Sequence, residues 1–462
     1  MFDPEVYQNR RKNLAKTVGS GVILFFGNDE SPMNYADNPY PFRQDSSFLY
    51  YWGLDEPNLA AIIDVDEQKE ILFGYDFSVD DIIWMGPQPS LAERAARAGI
   101  KEISPINKLA SEVQKADQQR RKIHYLPQYR PENRIKIQQI LGIQADMVDY
   151  YASVELICAV VTQRSVKSNE EIQEIEKALD ISYEMHTLAM KMVRPGIYER
   201  EVVGAMVGKA YAMGGGISFP IVFSIHGETL HNHHHDNLME EGNIVVNDSG
   251  GESPMHYAGD ITRTIPVSGK FTPQQKEIYQ IVLNAQRKAI EAIRPGIKYR
   301  DVHLLAAKEM AKGLADVGIM KGNLDEAVAQ GAHALFFPHG LGHMMGLDVH
   351  DMENLGEDYV GYNEEVQRSS QFGLAYLRLA KALQPGYVLT VEPGIYFIPE
   401  LIDQWKAEHK FEEFINYQVV EKYRQFGGIR IEDDILVTPN GHKLLGKPIP
   451  KTVEEVEALT SS

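Results

Sequence analysis

"FFPHGLGHMMGLDVHD" runs from Phe336 to Asp351 and holds three histidines, His339, His343 and His350. Offsets of four and eleven residues both return near the starting angle of an α-helix, so a helix would place all three rings on one face. Yet Gly340, Gly342 and Gly346 lie among them and Pro338 stands just before. Three glycines would cost a helix roughly 1 kcal/mol each. The segment therefore predicts an irregular path that brings imidazoles into one place from different directions.

Four acids on either side of it end or flank apolar, β-rich runs. "EEGNIVVND" places Asp248 six residues after Gly242, and "QPGYVLTVE" places Glu392 six residues after Gly386. "YAGDITRTIPV" carries Asp260, and "GGIRIEDDILV", read as one further acidic strand, carries Glu432. A second echo joins Arg194–Val202 to Arg294–Val302, both reading R-P-G-I-x-x-R-x-V, one hundred residues apart. Each follows a predicted helix start. "SNEE" at Ser168 is a capping box whose helix carries Ile172, Ile175 and Leu179 on one face, and "TPQQ" at Thr272 puts Pro273 in a first turn. Two echoes in the same order predict that residues 168–445 form two related halves, each sending acids to a shared centre.

Taken singly, each acid reads as a solvated residue or a turn former. Together, beside runs that must be buried, unpaired carboxylates would be costly. Two of them about 4 Å apart repel by roughly 4 kcal/mol at an effective dielectric of 20. Two divalent cations would balance the four charges, and carboxylates with one imidazole suit manganese, iron, cobalt or zinc. These residues alone leave open which ring would bind metal.

The first 150 residues alternate differently. "GVILFFG" (21–27), "AAIIDVD" (60–66), "KEILFGYD" (69–76) and "KIHYLP" (122–127) predict strands, while "SLAERAARAGI" and "INKLASEVQKA" predict amphipathic helices, so an α/β domain is expected. Read alone, the aromatic run at 43–57 predicts a core strand turning at Gly53. A length of 462 residues, 44% hydrophobic and 24% charged, fits two or three globular domains. The net charge of −19 disfavours nucleic acid and anionic membranes as partners. Cys158 is the only cysteine, which excludes an intrachain disulfide, and its setting in "VELICAVV" predicts burial as a small hydrophobe. With no signal-peptide core at the N-terminus and no apolar run of about 18 residues, a cytoplasmic protein is expected.

"GDITRTIPVSG", "PHGLGHMMGLDVHD", "LTVEPGIYF" and "GGIRIEDDILV" resemble the motifs of the aminopeptidase P and prolidase family of "pita-bread" metallopeptidases. "FRQDSSFLYYWGLDEP" resembles the signature of that family's non-catalytic domain, and "MKGNLDEAV" through "KTVEEVEAL" is similar to animal-type prolidases. The resemblance implies an α/β N-terminal domain over 1–165, then an α+β pita-bread catalytic domain with two pseudo-symmetric halves over 166–462. It implies hydrolysis of the bond before proline by two metal ions, manganese foremost, with cobalt, iron and zinc as alternatives. Asp260 and Glu432 would bridge the pair, Asp248 would complete one site, and His343 and Glu392 the other. Glu392 would also shuttle a proton, His350 would stabilise the oxyanion, and His231 and His339 would shape the proline pocket, with Arg430 steadying the site.

Arg378, fourteen residues before Glu392, matches an arginine that prolidases keep for a dipeptide's carboxylate; read without the resemblance, it is a surface residue of an amphipathic helix. An Xaa-Pro dipeptidase is therefore expected first, an Xaa-Pro aminopeptidase on longer peptides second, and a non-catalytic metal- or peptide-binding protein on the same fold third. Substrates would be proline-containing dipeptides or short peptides, and the resemblance suggests a homodimer or homotetramer. Two features depart from the family pattern. Asp248 and Asp260 are twelve residues apart where the family has eleven, predicting a bulge or longer turn between them. His233, His234 and His235 have no family counterpart and read as a solvated loop.

Overall fold

Contacts in the computed structural model, which describes residues 1–461, divide the chain into two units. The first comprises Met1–Arg164 with Met352–Tyr359, and the second Ser165–Asp351 with the chain from Val360 onward.

The first unit is built on β1 (Val22–Phe26), β2 (Ala60–Asp64), β3 (Lys69–Gly74), β4 (Glu102–Pro105) and β5 (Ile123–His124), ordered β4-β3-β2-β1-β5. The β1–β2–β3 meander is antiparallel and both edge strands join parallel. One face buries Leu24, Phe26, Ile62 and Phe73 under Leu109, Val113, Ile137 and Ile140 from the helices Leu109–Gln118 and Pro131–Leu141. The aromatic run is not the expected strand but a helix, Ser46–Trp52. Asp45 caps it by accepting from the Phe48 N–H at 2.8 Å, and Gly53 ends it at φ 67°, where a side chain would be strained. These caps outweigh the β preference of the aromatics, and Phe48, Tyr51 and Trp52 are buried, with Tyr51 packing on Phe25 of β1. Cys158 also departs from expectation. It is exposed on the helix Val154–Ser165, because the apolar run is longer than the face that Leu156, Ile157, Val160 and Val161 bury.

The second unit repeats a helix pair and a small sheet. In the first half, helices Asn169–Met192 and Glu199–Ala212 precede β6 (Gly216–Ile217), β7 (Val222–Ser224), β8 (Ile244–Ser249), β9 (Gly251–Glu252) and β10 (Ile261–Pro266). In the second, helices Pro273–Ala292 and Tyr299–Asp316 precede β11 (Val388–Val391), β12 (Gly394–Tyr396), β13 (Gly428–Arg430), β14 (Asp433–Thr438) and β15 (Gly441–Leu444). The capping boxes at Ser168 and Thr272 both form. Sheets run β10-β8-β7 and β11-β14-β15, with β12–β13 and β6–β9 as ribbons.

One local detail differs from the sequence reading. The stretch 428–438 is two strands, β13 and β14, broken at Ile431 and Glu432. Between Asp248 and Asp260 the chain makes a hairpin excursion, where Glu252 bridges Ala258 and His256 turns at φ 66°. In the β8–β10 ladder Asp248 stands opposite Thr262. No helix among the described residues is long and apolar enough to cross a membrane.

Candidate metal centre and substrate cavity

Strand ends set the acids. Val391 and Asp433 form the last rung between β11 and β14, so Glu392 and Glu432 each lie one residue beyond that ladder. Asp260 lies one residue before β10, and Asp248 within β8. The Glu432 N–H donates to the Thr262 carbonyl at 3.0 Å, which ties the two halves together at the acids.

The histidine segment reaches them by running extended along β11. Thr390 N–H donates to the His343 carbonyl at 3.0 Å, Glu392 N–H to Leu341 at 2.8 Å, and Met345 N–H to Val388 at 3.0 Å. Glycine permits this approach. A Cβ on Gly342 would stand 2.1 Å from the Thr390 carbonyl oxygen, and one on Gly340 would stand 2.8 Å from Cα of Leu377. His343 Nδ1 pairs with the Met344 carbonyl at 3.0 Å, an N–H donation that turns Nε2 towards the acids as the ligand atom. That Nε2 lies 3.3 Å from Asp260 Oδ2 and 3.7 Å from Glu392 Oε1. His350 packs edge-on to His343 with ring centroids 4.3 Å apart. His339 Nε2 meets the Tyr396 hydroxyl at 2.9 Å, and its Nδ1 is 3.8 Å from Glu392 Oε2.

Ligand atoms of Asp260, His343 and Glu432 fall within 4.8 Å of one another. Asp248 Oδ1, Asp260 Oδ1 and Glu432 Oε1 are buried and have no hydrogen-bond partner among the described residues. Orphaned carboxylate oxygens lining one cavity are what a hard or borderline cation satisfies, so the residues fit the metal ions expected of them. In the protein alone, burial and then mutual repulsion push the Asp260 and Glu432 carboxyls well above their ordinary range. Burial raises Glu392 to about 8, against the pull of Arg430. Arg430 supplies a guanidinium bond to this acid group: it donates to Asp248 Oδ2 at 2.6 Å and to the Tyr396 hydroxyl at 2.7 Å.

One cavity of about 800 Å³ collects all ten residues singled out above: Asp248, Asp260, His343, Glu392 and Glu432, with His231, His339, His350, Arg378 and Arg430. Arg378 follows a single 3-10 turn, Leu374–Tyr376, and not an amphipathic helix. Of the three extra histidines, His233 lines the cavity, whereas His234 and His235 do not. Several supporting residues lie inside the quoted motifs, where the resemblance implies no role for them. Tyr396 links His339 to Arg430, and the Thr262 hydroxyl donates to Glu432 at 2.7 Å. Asp434 accepts the Asp260 N–H at 3.0 Å. Strand periodicity signals one of them, since Thr262 lies two residues beyond Asp260 and so on its face.

Comparison with known proteins agrees with this chemistry. The model of metallopeptidase family M24 matches residues 173–439, and that of the aminopeptidase P N-terminal domain matches residues 7–124. Human Xaa-Pro dipeptidase is 34% identical over 97% of this chain and 90% of its own. A probable Xaa-Pro aminopeptidase of Fusarium vanettenii is 33% identical over 96% of this chain and 93% of its own. The structure of Escherichia coli aminopeptidase P with the inhibitor Pro-Leu superposes with a TM-score of 0.81 at 30% identity, over 100% of this chain and 98% of that one. The repeated halves are those of the pita-bread fold. The chain belongs to metallopeptidase family M24, joined to an aminopeptidase P N-terminal domain.

Proposed function

We propose that this metallopeptidase hydrolyses the bond on the N-terminal side of proline and favours Xaa-Pro dipeptides, with residues 166–462 as catalytic domain and 1–165 as its non-catalytic companion. The observation that carries the dipeptide preference is Arg378 in the cavity wall, in one space with the acids and histidines. Asp248, Asp260, His343, Glu392 and Glu432 would hold two divalent ions, manganese foremost, which supply Lewis acidity and lower the pKa of the attacking water. Glu392 takes the proton from that water and delivers it to the prolyl nitrogen as the amide bond breaks. Its oxygens point separately towards His343 and His339, which keeps it between water and leaving group. His350 donates to the developing oxyanion, and His231 and His339 wall the proline ring. Arg430 holds Asp248 in place through the 2.6 Å pair. We expect a cytoplasmic homodimer or homotetramer acting on short proline-containing peptides.

A second reading, Xaa-Pro aminopeptidase, is favoured by the cavity's volume of about 800 Å³, whose walls extend to Phe372, Leu401 and Gln404 and leave room beyond a dipeptide. A non-catalytic binding protein is disfavoured by the intact ligand set. Arginine held to carboxylate is worth about 1.5–3 kcal/mol, so Arg378→Ala should lower kcat/KM for an Xaa-Pro dipeptide roughly 10- to 150-fold. A tripeptide has an amide where the dipeptide has its carboxylate and should lose little. Equal losses would make Arg378 structural, and wild-type preference for tripeptides would establish the aminopeptidase.

A further inference from the structure

The two halves of the catalytic unit hold their cavity loops by equivalent hydrogen bonds. Gly196 N–H donates to Met239 and Gly296 N–H to Leu383, both at 2.8 Å. Glu199 N–H donates to Asn237 and Tyr299 N–H to Lys381, both at 3.1 Å. Arg200 N–H donates to His235 at 3.0 Å, and Arg300 N–H to Ala380 at 3.2 Å. Bridges Tyr198–Leu238 and Lys298–Ala382 complete the correspondence. His235 is thus the counterpart of Ala380, with Asp236 as an additional residue in the first loop. Two residues further back on each loop stand His233 and Arg378, and both line the cavity. His235 faces elsewhere, its Nδ1 against the Phe223 carbonyl at 3.3 Å.

The loop that carries His233 is built firmly. Buried Glu199 closes both its ends, accepting from Ile225 N–H at 2.7 Å and from the Asn237 side chain at 3.0 Å. Asn232 accepts the His234 N–H at 3.0 Å and donates to the Ser224 hydroxyl at 3.1 Å, which fixes the backbone on either side of His233. From this equivalence we propose that His233 is a specificity-determining residue that meets the substrate's free carboxylate from the loop opposite Arg378. The inference rests on the dipeptidase reading above. A carboxylate offers about four lone-pair positions, and a bidentate guanidinium uses two, so an imidazole N–H can take a third. His231, two residues away, already feels this end of the cavity: burial first, then Arg430, and also Arg378 hold its pKa below the ordinary value.

The test measures hydrolysis of an Xaa-Pro dipeptide and of its Xaa-Pro amide by wild type, His233→Ala, His233→Gln and Arg378→Ala. His233→Ala should raise KM for the dipeptide about threefold to tenfold, the worth of one hydrogen bond, with kcat within about twofold and the amide unaffected. His233→Gln, which keeps a donor, should recover most of the loss. Equal losses on acid and amide, or none on either, would overturn the role of His233. If Arg378→Ala distinguishes acid from amide and His233→Ala does not, this inference alone falls. If Arg378→Ala fails to distinguish them, the dipeptidase reading falls and this inference falls with it.

Discussion

His303 and His333 show what an imidazole becomes without a partner. Both are buried, with no hydrogen-bond partner for any of their four ring nitrogens among the described residues. His303 stacks on Phe337 at 5.2 Å, in the same segment that carries His339. Burial lowers His303 to about 3, with help from His333 and His339, and lowers His333 to about 4. An unfolded histidine titrates near 6.5, so between about pH 6.5 and 4 the unfolded chain binds protons that the folded one refuses. The stability held by these neutral rings is therefore complete above about pH 6.5 and is lost as pH falls through that window. Each unit of separation is worth about 1.4 kcal/mol, so the effect amounts to a few kcal/mol. His303→Phe, which keeps the stack, should flatten the acid side of a Tm-against-pH curve; an unchanged slope below pH 6.5 would contradict the assignment. His339 in the quoted segment is depressed in the same way, to about 3, by burial first and then by Arg430, even though its ring pairs with the Tyr396 hydroxyl.

At the scale of elements, the turn after His343 is fastened by a buried ion pair. Lys167 Nζ lies 2.8 Å from Asp351 Oδ2 with both side chains 1% exposed, and Asp351 N–H donates to the Met344 carbonyl at 2.9 Å. The pair thus closes the loop that delivers His343 at one end and His350 at the other. Breaking one side leaves a buried charge, so Asp351→Asn should destabilise by about 3–5 kcal/mol, while Lys167→Met with Asp351→Leu should recover most of that. Urea unfolding checks both, and an unchanged midpoint for Asp351→Asn would show that the pair contributes nothing. None of this was legible in the sequence, because Lys167 and Asp351 are 184 residues apart and no periodicity connects them. Local signals read well: capping boxes at Ser168 and Thr272, and strands that end on Asp248 and Glu392, follow from rules spanning a few residues. Residues 46–52 misled because capping by Asp45 and Gly53 outweighed aromatic β preference, and Cys158 because an apolar run exceeds the face a helix can bury. His233 was unreadable for a third reason, since only the paired hydrogen bonds of the two halves reveal its counterpart.

For the molecule as a whole, the fold spends stability on its centre. Asp248, Asp260, Glu392 and Glu432 line one cavity, where Arg430 pairs with Asp248, so the metal-free protein carries a repulsion that its sheets and helices must overcome. Cations that bind the folded state alone remove this repulsion, and stabilise by mass action by about 2.7 kcal/mol at a hundred times the dissociation constant. In a domain of 150–250 residues, where 1 kcal/mol moves Tm by about 2–4 °C, that would be a rise of roughly 5–10 °C, and in this larger unit the rise is somewhat smaller. Chelation should therefore lower Tm and abolish peptidase activity together, and manganese should restore both. Asp260→Asn separates the two consequences. It removes one buried negative charge from the acid cluster and a ligand that would bridge both ions. Its Tm in chelator should lie above that of the wild type in chelator, its Tm should hardly respond to manganese, and its activity should stay negligible. A variant less stable than wild type without metal would mean that the Asp260 carboxyl serves the fold as well as the ions. A variant that still gains the full manganese shift would mean that Asp260 is no ligand at all.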